Sequence, residues 1–130
     1  MAGLAAVRAE EADLADIGAW VPPRGEVPDV EEFKRLDVAF HGAVARAAHN
    51  RVVVELFEAV RGILFRSHDY YTALDSFSHR EAHEIVRRIL ADHERVHRAI
   101  CAHQPGRARD AMDIHFRHLE QWMLARLPRE

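Results

Sequence analysis

Residues 35–44, RLDVAFHGAV, place an aspartate and a histidine four positions apart within an apolar pattern. Residues four apart lie one above the other on an α-helix, so Asp37 and His41 are predicted to share a face. Apolar side chains recur around them at helical spacing: Phe33, Leu36, Phe40 and Val44. The stretch therefore predicts a helix that places a polar pair directly beside its own core residues.

The rest of the chain is also helical in pattern, without an alternating run long enough for a strand. Loops and caps divide it into five predicted helices, at about 3–20, 30–48, 51–68, 79–103 and 107–127. Asp29 and Ser78 have the spacing of N-terminal caps, and Gln104-Pro105-Gly106 is typical of a helix end. We therefore predict an all-α fold, an antiparallel helical bundle with a central cavity for a ligand or a metal.

Composition and charge limit the class of protein. The chain has 130 residues, of which 48% are apolar and 30% charged, as is typical of one soluble globular domain. The net charge is −3 and no basic face stands out, so we do not expect the chain to bind nucleic acid by itself. No apolar run approaches the ~18 residues of a membrane-spanning helix. A single cysteine, Cys101, excludes an internal disulfide and agrees with a cytoplasmic location.

Ten histidines are the unusual feature of the composition. Besides His41, the candidates on the two late helices form three pairs: His79 and His83, His93 and His97, His115 and His118. Imidazole and carboxylate groups together suit zinc, nickel, iron or manganese, and facing helices of a bundle often hold such ions. Spacing alone does not choose between His93 and His97, or between His115 and His118. The alternative is that the histidines are incidental surface residues.

Enzymatic chemistries fit the motifs less well. Glu94 and His97 form one Glu-x-x-His half-motif of a di-iron protein, but no second copy occurs in the sequence. The chain also lacks an H-E-x-x-H, a G-x-S-x-G and a glycine-rich phosphate loop. A small helical-bundle metalloenzyme, either a hydrolase or a di-iron protein, is therefore the alternative to a metal-dependent binding domain.

Two segments resemble a known family. DVAFHGAVARAAHN at 37–50 resembles a D-x-x-F-H motif followed by a small-residue turn that ends in asparagine. DHERVHRAICAHQPGRARDAMDIHFRHL at 92–119 resembles the paired closing histidines of the same family, around an A-x-x-A-M-x-x-H pattern. Together they are similar to the effector-binding C-terminal domain of the FadR subgroup of GntR-type bacterial transcription regulators. The resemblance extends over about residues 4–127.

The resemblance implies a ligand set for the metal. In metal-binding members of the family, one aspartate and three histidines from three helices hold a divalent ion in the bundle core. By motif these are Asp37, His41, His93 and His115. His97 and His118 then become second choices. Zinc is the expected ion, and nickel, manganese or iron are alternatives.

The resemblance further implies a sensor that is not an enzyme. Its effector would be a small organic acid bound at open positions of the ion. Because a guanidinium matches a carboxylate, Arg61 is the predicted clamp, with Arg66 as a second candidate and Asn50 as a further ligand-binding residue. We also expect a homodimer, for which Trp20, Trp122 and Leu127 are candidate interface residues.

Regulators of this family also carry a winged-helix DNA-binding domain before the bundle. Here the sequence starts inside the first predicted helix. We therefore expect residues 1–130 to be a single effector-binding domain, with the winged-helix domain absent from this chain. The expected partners are a carboxylate effector and, only through that other domain, DNA; no membrane is expected.

Overall fold

The structure is a computed structural model of the chain and describes residues 1–64 and 74–125. Six helices have their bounds within these ranges, and no strand occurs there: α1 (Ala2–Arg8), α2 (Glu11–Ala19), α3 (Val30–Ala47), α4 (Arg51–Leu64), α5 (His79–Cys101) and α6 (Pro105–Leu124). The all-α prediction is confirmed. Among the described residues, none of the helices combines the length and the apolar character that crossing a bilayer requires.

The first predicted helix is in fact two helices. Ala9 has an extended backbone, with φ −60° and ψ 132°, and ends α1. The backbone N–H of Glu10 then donates to the Asp13 carboxylate at 2.8 Å, which fixes the start of α2. The prediction of one continuous helix was wrong because the cap of α2 is Glu10. Glutamate is not among the residues that usually cap a helix, so the sequence showed no sign of a new helix start there.

The caps at the start of α3 and α5 are as predicted. Asp29 Oδ1 accepts a hydrogen bond from the backbone N–H of Glu32 at 2.8 Å, at the start of α3. Ser78 and Glu81 form both bonds of a capping box, at 3.2 and 2.9 Å, at the start of α5. α6 begins at Pro105, two residues earlier than predicted, since proline is favoured in the first turn of a helix.

The buried apolar residues form two clusters, and the polar residues of interest lie at the boundary between them. On α3, Asp37 lies between Phe33 of one cluster and Phe40 of the other. On α5, His93 lies between Leu90 and Val96, which also belong to different clusters. α3 packs against α5, and α5 packs against α6, so polar side chains of these helices come together in the interior.

α4 leaves part of its apolar surface in solvent. Val53 and Phe57 are half-buried, but Leu56 and Val60 are 60% and 41% exposed, although all four lie at helical spacing in the sequence. Together with two further exposed residues, Leu56 and Val60 form what we call the α4 stripe: Val52, Leu56, Val60 and Ile63. The spacing of the sequence identified the helix correctly but not which of its apolar faces is covered.

Other predicted features fall partly outside the described residues. Trp20 and Trp122 are each half-buried and pack against the core clusters, so core packing accounts for both. Leu127 and the predicted ends of the third and fifth helices, at 68 and 127, lie outside the described ranges.

Candidate metal centre

Four side chains predicted as ligands meet in one cluster. Asp37 and His41 come from α3, His93 comes from α5 and His115 comes from α6. Each offers one ligand atom, and these atoms all lie within 4.8 Å of one another. All four residues are buried, with exposed fractions of 1%, 6%, 0% and 0% in that order. Three helices therefore bring these four polar side chains together in the interior.

The four side chains face one another closely. Asp37 Oδ1 lies 3.4 Å from His41 Nε2 and also 3.4 Å from His93 Nε2. The centroid of the His115 ring lies 5.3 Å from that of His41 and 4.8 Å from that of His93. One carboxylate and three imidazoles around a common point form a donor set that divalent ions accept.

The ring nitrogens of two of these histidines are buried without hydrogen bonds. Neither nitrogen of His93 or of His115 has a hydrogen-bond partner within the described residues. His115 Nδ1 does lie 3.6 Å from Asp92 Oδ2, just beyond hydrogen-bonding distance. Buried polar atoms are nearly always satisfied in folded proteins, so this arrangement is costly unless something binds there. A divalent ion fits these donors, because it supplies the partner that they lack.

Burial also favours the form of histidine that binds metals. Desolvation lowers the pKa of His93 well below its ordinary value, and His115 and His41 lower it further. Desolvation likewise lowers the pKa of His115, even though a contact with Asp92 acts in the opposite direction. Both rings are therefore neutral at physiological pH, with a lone pair available for a metal.

Aromatic side chains line the cluster on two sides. The Phe40 ring stacks on His93, with centroids 4.1 Å apart and planes 9° apart. The Phe116 ring lies 5.5 Å from His115 and 6.3 Å from His41, and Phe116 itself is 50% exposed. His41 is the most exposed of the four polar residues. The cluster is thus closest to solvent on the side where His41 meets Phe116.

Asp92 is a buried carboxylate that the sequence reasoning missed. Its Oδ2 accepts a hydrogen bond from His118 Nδ1 at 2.7 Å, and it is only 3% exposed. Burial alone would raise the pKa of Asp92, but the contacts with His115 and His118 outweigh burial and lower it. The sequence does contain a sign of this burial. Asp92 lies three residues after Ile89 and four before Val96, so a charged residue occupies a position of the apolar stripe of α5.

The other candidate histidines do not belong to the cluster. His97 Nε2 lies 3.2 Å from the carbonyl oxygen of Leu14, and His118 binds the carboxylate described above. His79 and His83 are exposed near the start of α5. The structure therefore brings together the four residues chosen by resemblance and places the second choices elsewhere.

The two predicted effector-binding residues both lie on or before α4. Asn50 Oδ1 accepts a hydrogen bond from the backbone N–H of Val53 at 3.2 Å, so this side chain caps the helix. Arg61 pairs with Glu58 at 3.3 Å, and 49% of its side chain is exposed. Arg66 lies outside the described residues. The role of Asn50 and Arg61 in ligand binding stays a prediction.

The features that favoured a di-iron enzyme have another explanation. Glu94 forms ion pairs with Arg24 at 3.0 Å and with Arg98 at 2.9 Å, away from the cluster. Within residues 1–64 and 74–125, the cluster around Asp37 is the single group of candidate metal ligands. A second set of ligands, which a di-iron site requires, is therefore not found in the described part of the chain.

Comparison with known proteins gives the same family as the motifs. The profile of the FCD domain family matches residues 1–118. The HTH-type transcriptional regulator LutR of Bacillus subtilis (strain 168) is 31% identical over 121 residues. The alignment covers 92% of this chain and 54% of the relative, so the chain spans about half the length of that protein.

These matches also decide between a regulator domain and an enzyme. The family is one of transcription regulators and is not enzymatic, which sets the metalloenzyme alternative aside. The chain belongs to the FCD domain family, the C-terminal effector-binding domain of the FadR subgroup of GntR-type transcription regulators.

Proposed function

We propose that this chain is the sensing domain of a GntR-type regulator and binds one divalent ion through Asp37, His41, His93 and His115. The observation that carries the proposal is the convergence of four buried donor atoms within 4.8 Å. Zinc suits one carboxylate and three neutral imidazoles best, and nickel, manganese or iron are accepted by the same donors. A bound ion would supply a positive charge and open positions for an anionic ligand.

A small organic acid is the effector class that we propose for this site. Four protein donors leave a position for the effector when zinc expands to a fifth ligand, and manganese, which takes six, leaves two. Carboxylate oxygens suit such ions. Access from the side of His41 and Phe116 is favoured, because His41 is the most exposed of the four residues. Arg61 and Asn50 are the proposed contacts for the far end of the effector.

The response to the effector would be a shift between packings of the bundle. Since α3, α5 and α6 each contribute to the cluster, a ligand there acts on all three helices at once. A ligand favours whichever packing it binds more tightly. The difference between its affinities for the two packings sets how far it shifts the equilibrium between them. A winged-helix domain, which we propose lies outside the single domain 1–130, would convert this shift into DNA binding in the cytoplasm.

Isothermal titration of the purified domain tests this function. Acetate, succinate and citrate are titrated into zinc-loaded protein and into protein stripped by a chelator. We expect at least one of these acids to bind the loaded domain, and none to bind the stripped domain or His93→Ala. His83→Ala, on an exposed part of α5, is the matched control and should bind like the wild type. Equal binding with and without zinc, or no binding to the loaded domain, would contradict the proposal.

We also propose that the domain forms a homodimer through the α4 stripe. Its members are 41–70% exposed, and they lie on one face of the helix at a spacing of three or four residues. The nearby charges are paired within the helix, Arg51 with Glu55 and Arg61 with Glu58, so they do not oppose association of two copies.

Light scattering after size exclusion tests this interface. The wild type should elute as a dimer, and Leu56→Glu should elute as a monomer because it places a charge in the centre of the stripe. Val7→Glu introduces the same charge at an exposed position of α1 and should leave the dimer intact. A monomeric wild type, or a dimeric Leu56→Glu, would contradict this interface.

A further inference from the structure

The carboxylate of Asp92 occupies an unusual position beside the metal centre. It occupies a position within the apolar stripe of α5, between Ile89 and Val96, and is 3% exposed. Its Oδ2 lies between two histidines of α6, at 2.7 Å from His118 Nδ1 and at 3.6 Å from His115 Nδ1. Its Oδ1 lies 3.4 Å from a guanidinium nitrogen of Arg95, whose side chain is 63% exposed. A buried carboxylate is costly unless it is paired, so this position calls for a function or a strong structural role.

We infer that Asp92 is a positioning residue for the metal centre. This inference rests on the function proposed above. A neutral imidazole carries its proton on one nitrogen and a lone pair on the other. A carboxylate beside Nδ1 of His115 holds the proton there and leaves the lone pair of Nε2 for the ion. The separation of 3.6 Å is only a few tenths of an ångström longer than a hydrogen bond.

His118 completes this arrangement by fixing the carboxylate. It lies three residues after His115, so both rings project from the same face of α6. Because a carboxylate oxygen has two lone pairs, Oδ2 can accept from both rings. The His118 bond, at 2.7 Å, is the shorter of the two contacts and sets the orientation of the carboxylate. His118 thus acts on the site through Asp92 and not as a ligand.

The competing explanation is that Asp92 and His118 only tie α5 to α6. In that case, loss of the carboxylate would lower the stability of the domain without any specific effect on the metal. The two explanations differ in two observables: the zinc affinity of the folded protein, and the proton position on the His115 ring. The ring can be examined without any metal.

Asp92→Asn keeps the shape of the side chain and removes its charge. We expect it to bind zinc about 10- to 100-fold more weakly than the wild type, in competition with a chromophoric chelator. His118→Gln should give a smaller loss in the same direction. Glu94→Gln is the matched control, since it neutralises a carboxylate two residues away on α5 that pairs with surface arginines, and it should bind zinc normally.

Long-range proton–nitrogen NMR of the metal-free domain supplies the second readout. The wild type should show His115 protonated at Nδ1, and Asp92→Asn should lose this preference. Unchanged zinc affinity together with an unchanged His115 tautomer in folded Asp92→Asn overturns the inference and leaves the proposed function intact. A wild type that binds no zinc overturns the proposed function itself. Should Asp92→Asn fail to fold, His118→Gln decides by the same two criteria.

Discussion

Replacing His93 with leucine should separate the stability of the domain from its response to metal. His93 is fully buried, and neither of its ring nitrogens forms a hydrogen bond within the described residues. Such a side chain destabilises a metal-free interior, whereas an apolar side chain of similar volume does not. The variant should therefore lose metal binding without losing the fold.

The expected change in unfolding free energy of the metal-free protein follows from the contacts of the His93 ring. Each buried polar group without a partner costs about 1–3 kcal/mol, and this cost disappears in the variant. The stack of His93 on Phe40, at 4.1 Å, is lost as well, which removes about 0.5–1.5 kcal/mol of stabilisation. If the ring counts as one such group, the stability of the metal-free variant should lie between about 0.5 kcal/mol below and about 2.5 kcal/mol above that of the wild type. In a domain of this size, 1 kcal/mol corresponds to about 3–5 °C in Tm.

Zinc should make the wild type more stable than His93→Leu. At a free concentration 100 times its Kd, zinc adds about 2.7 kcal/mol to the unfolding free energy of the wild type. His93→Leu should gain nothing measurable. Thermal unfolding followed by circular dichroism, in chelator and then in zinc, measures both quantities, and exposed His83→Leu is the control that should respond like the wild type. A metal-free variant more than about 2 kcal/mol less stable, or one that zinc still stabilises, would refute the reasoning.

Three further outcomes follow from the same contacts. Because burial holds the pKa values of His93 and His115 below the ordinary 6.5, the unfolded chain binds more protons than the metal-free fold below that pH. The free energy of unfolding should therefore fall as the pH drops below about 6.5, by up to about 1.4 kcal/mol per pH unit for each histidine. A midpoint of urea unfolding that stays constant between pH 7 and pH 5 would argue against this. Phe40→Ala should cost about 3–5 kcal/mol in urea unfolding, since Phe40 is fully buried, and a loss below 1 kcal/mol would be inconsistent with its packing. Ser78→Ala should cost about 1 kcal/mol by removing the cap of α5, with zinc affinity unchanged; an altered affinity would show that the cap also shapes the site.

Local signals in the sequence were sufficient for much of the fold. The caps at Asp29 and Ser78 depend on side chains three residues apart, and the structure confirms both. The four-residue interval between Asp37 and His41 fixed their common face, because the geometry of a single helix determines it. These features need no knowledge of how the helices pack.

Features that depend on packing between helices were not visible in the same way. His93 and His97 lie on one face of α5, so spacing could not choose between them. The structure distinguishes them because one turn of α5 faces Asp37 while the next faces the carbonyl of Leu14. The exposure of Leu56 likewise depends on which neighbours cover α4, which its own sequence does not encode.

The central claim is that four side chains hold one ion, and the metal content of the protein tests it most directly. Equilibrium dialysis against buffered zinc, followed by elemental analysis, gives the number of ions per chain. We predict about one ion for the wild type and for His83→Ala, and none for Asp37→Ala or His115→Ala at the same free zinc concentration. A wild type without metal, or Asp37→Ala and His115→Ala variants that retain a full equivalent, would contradict the account.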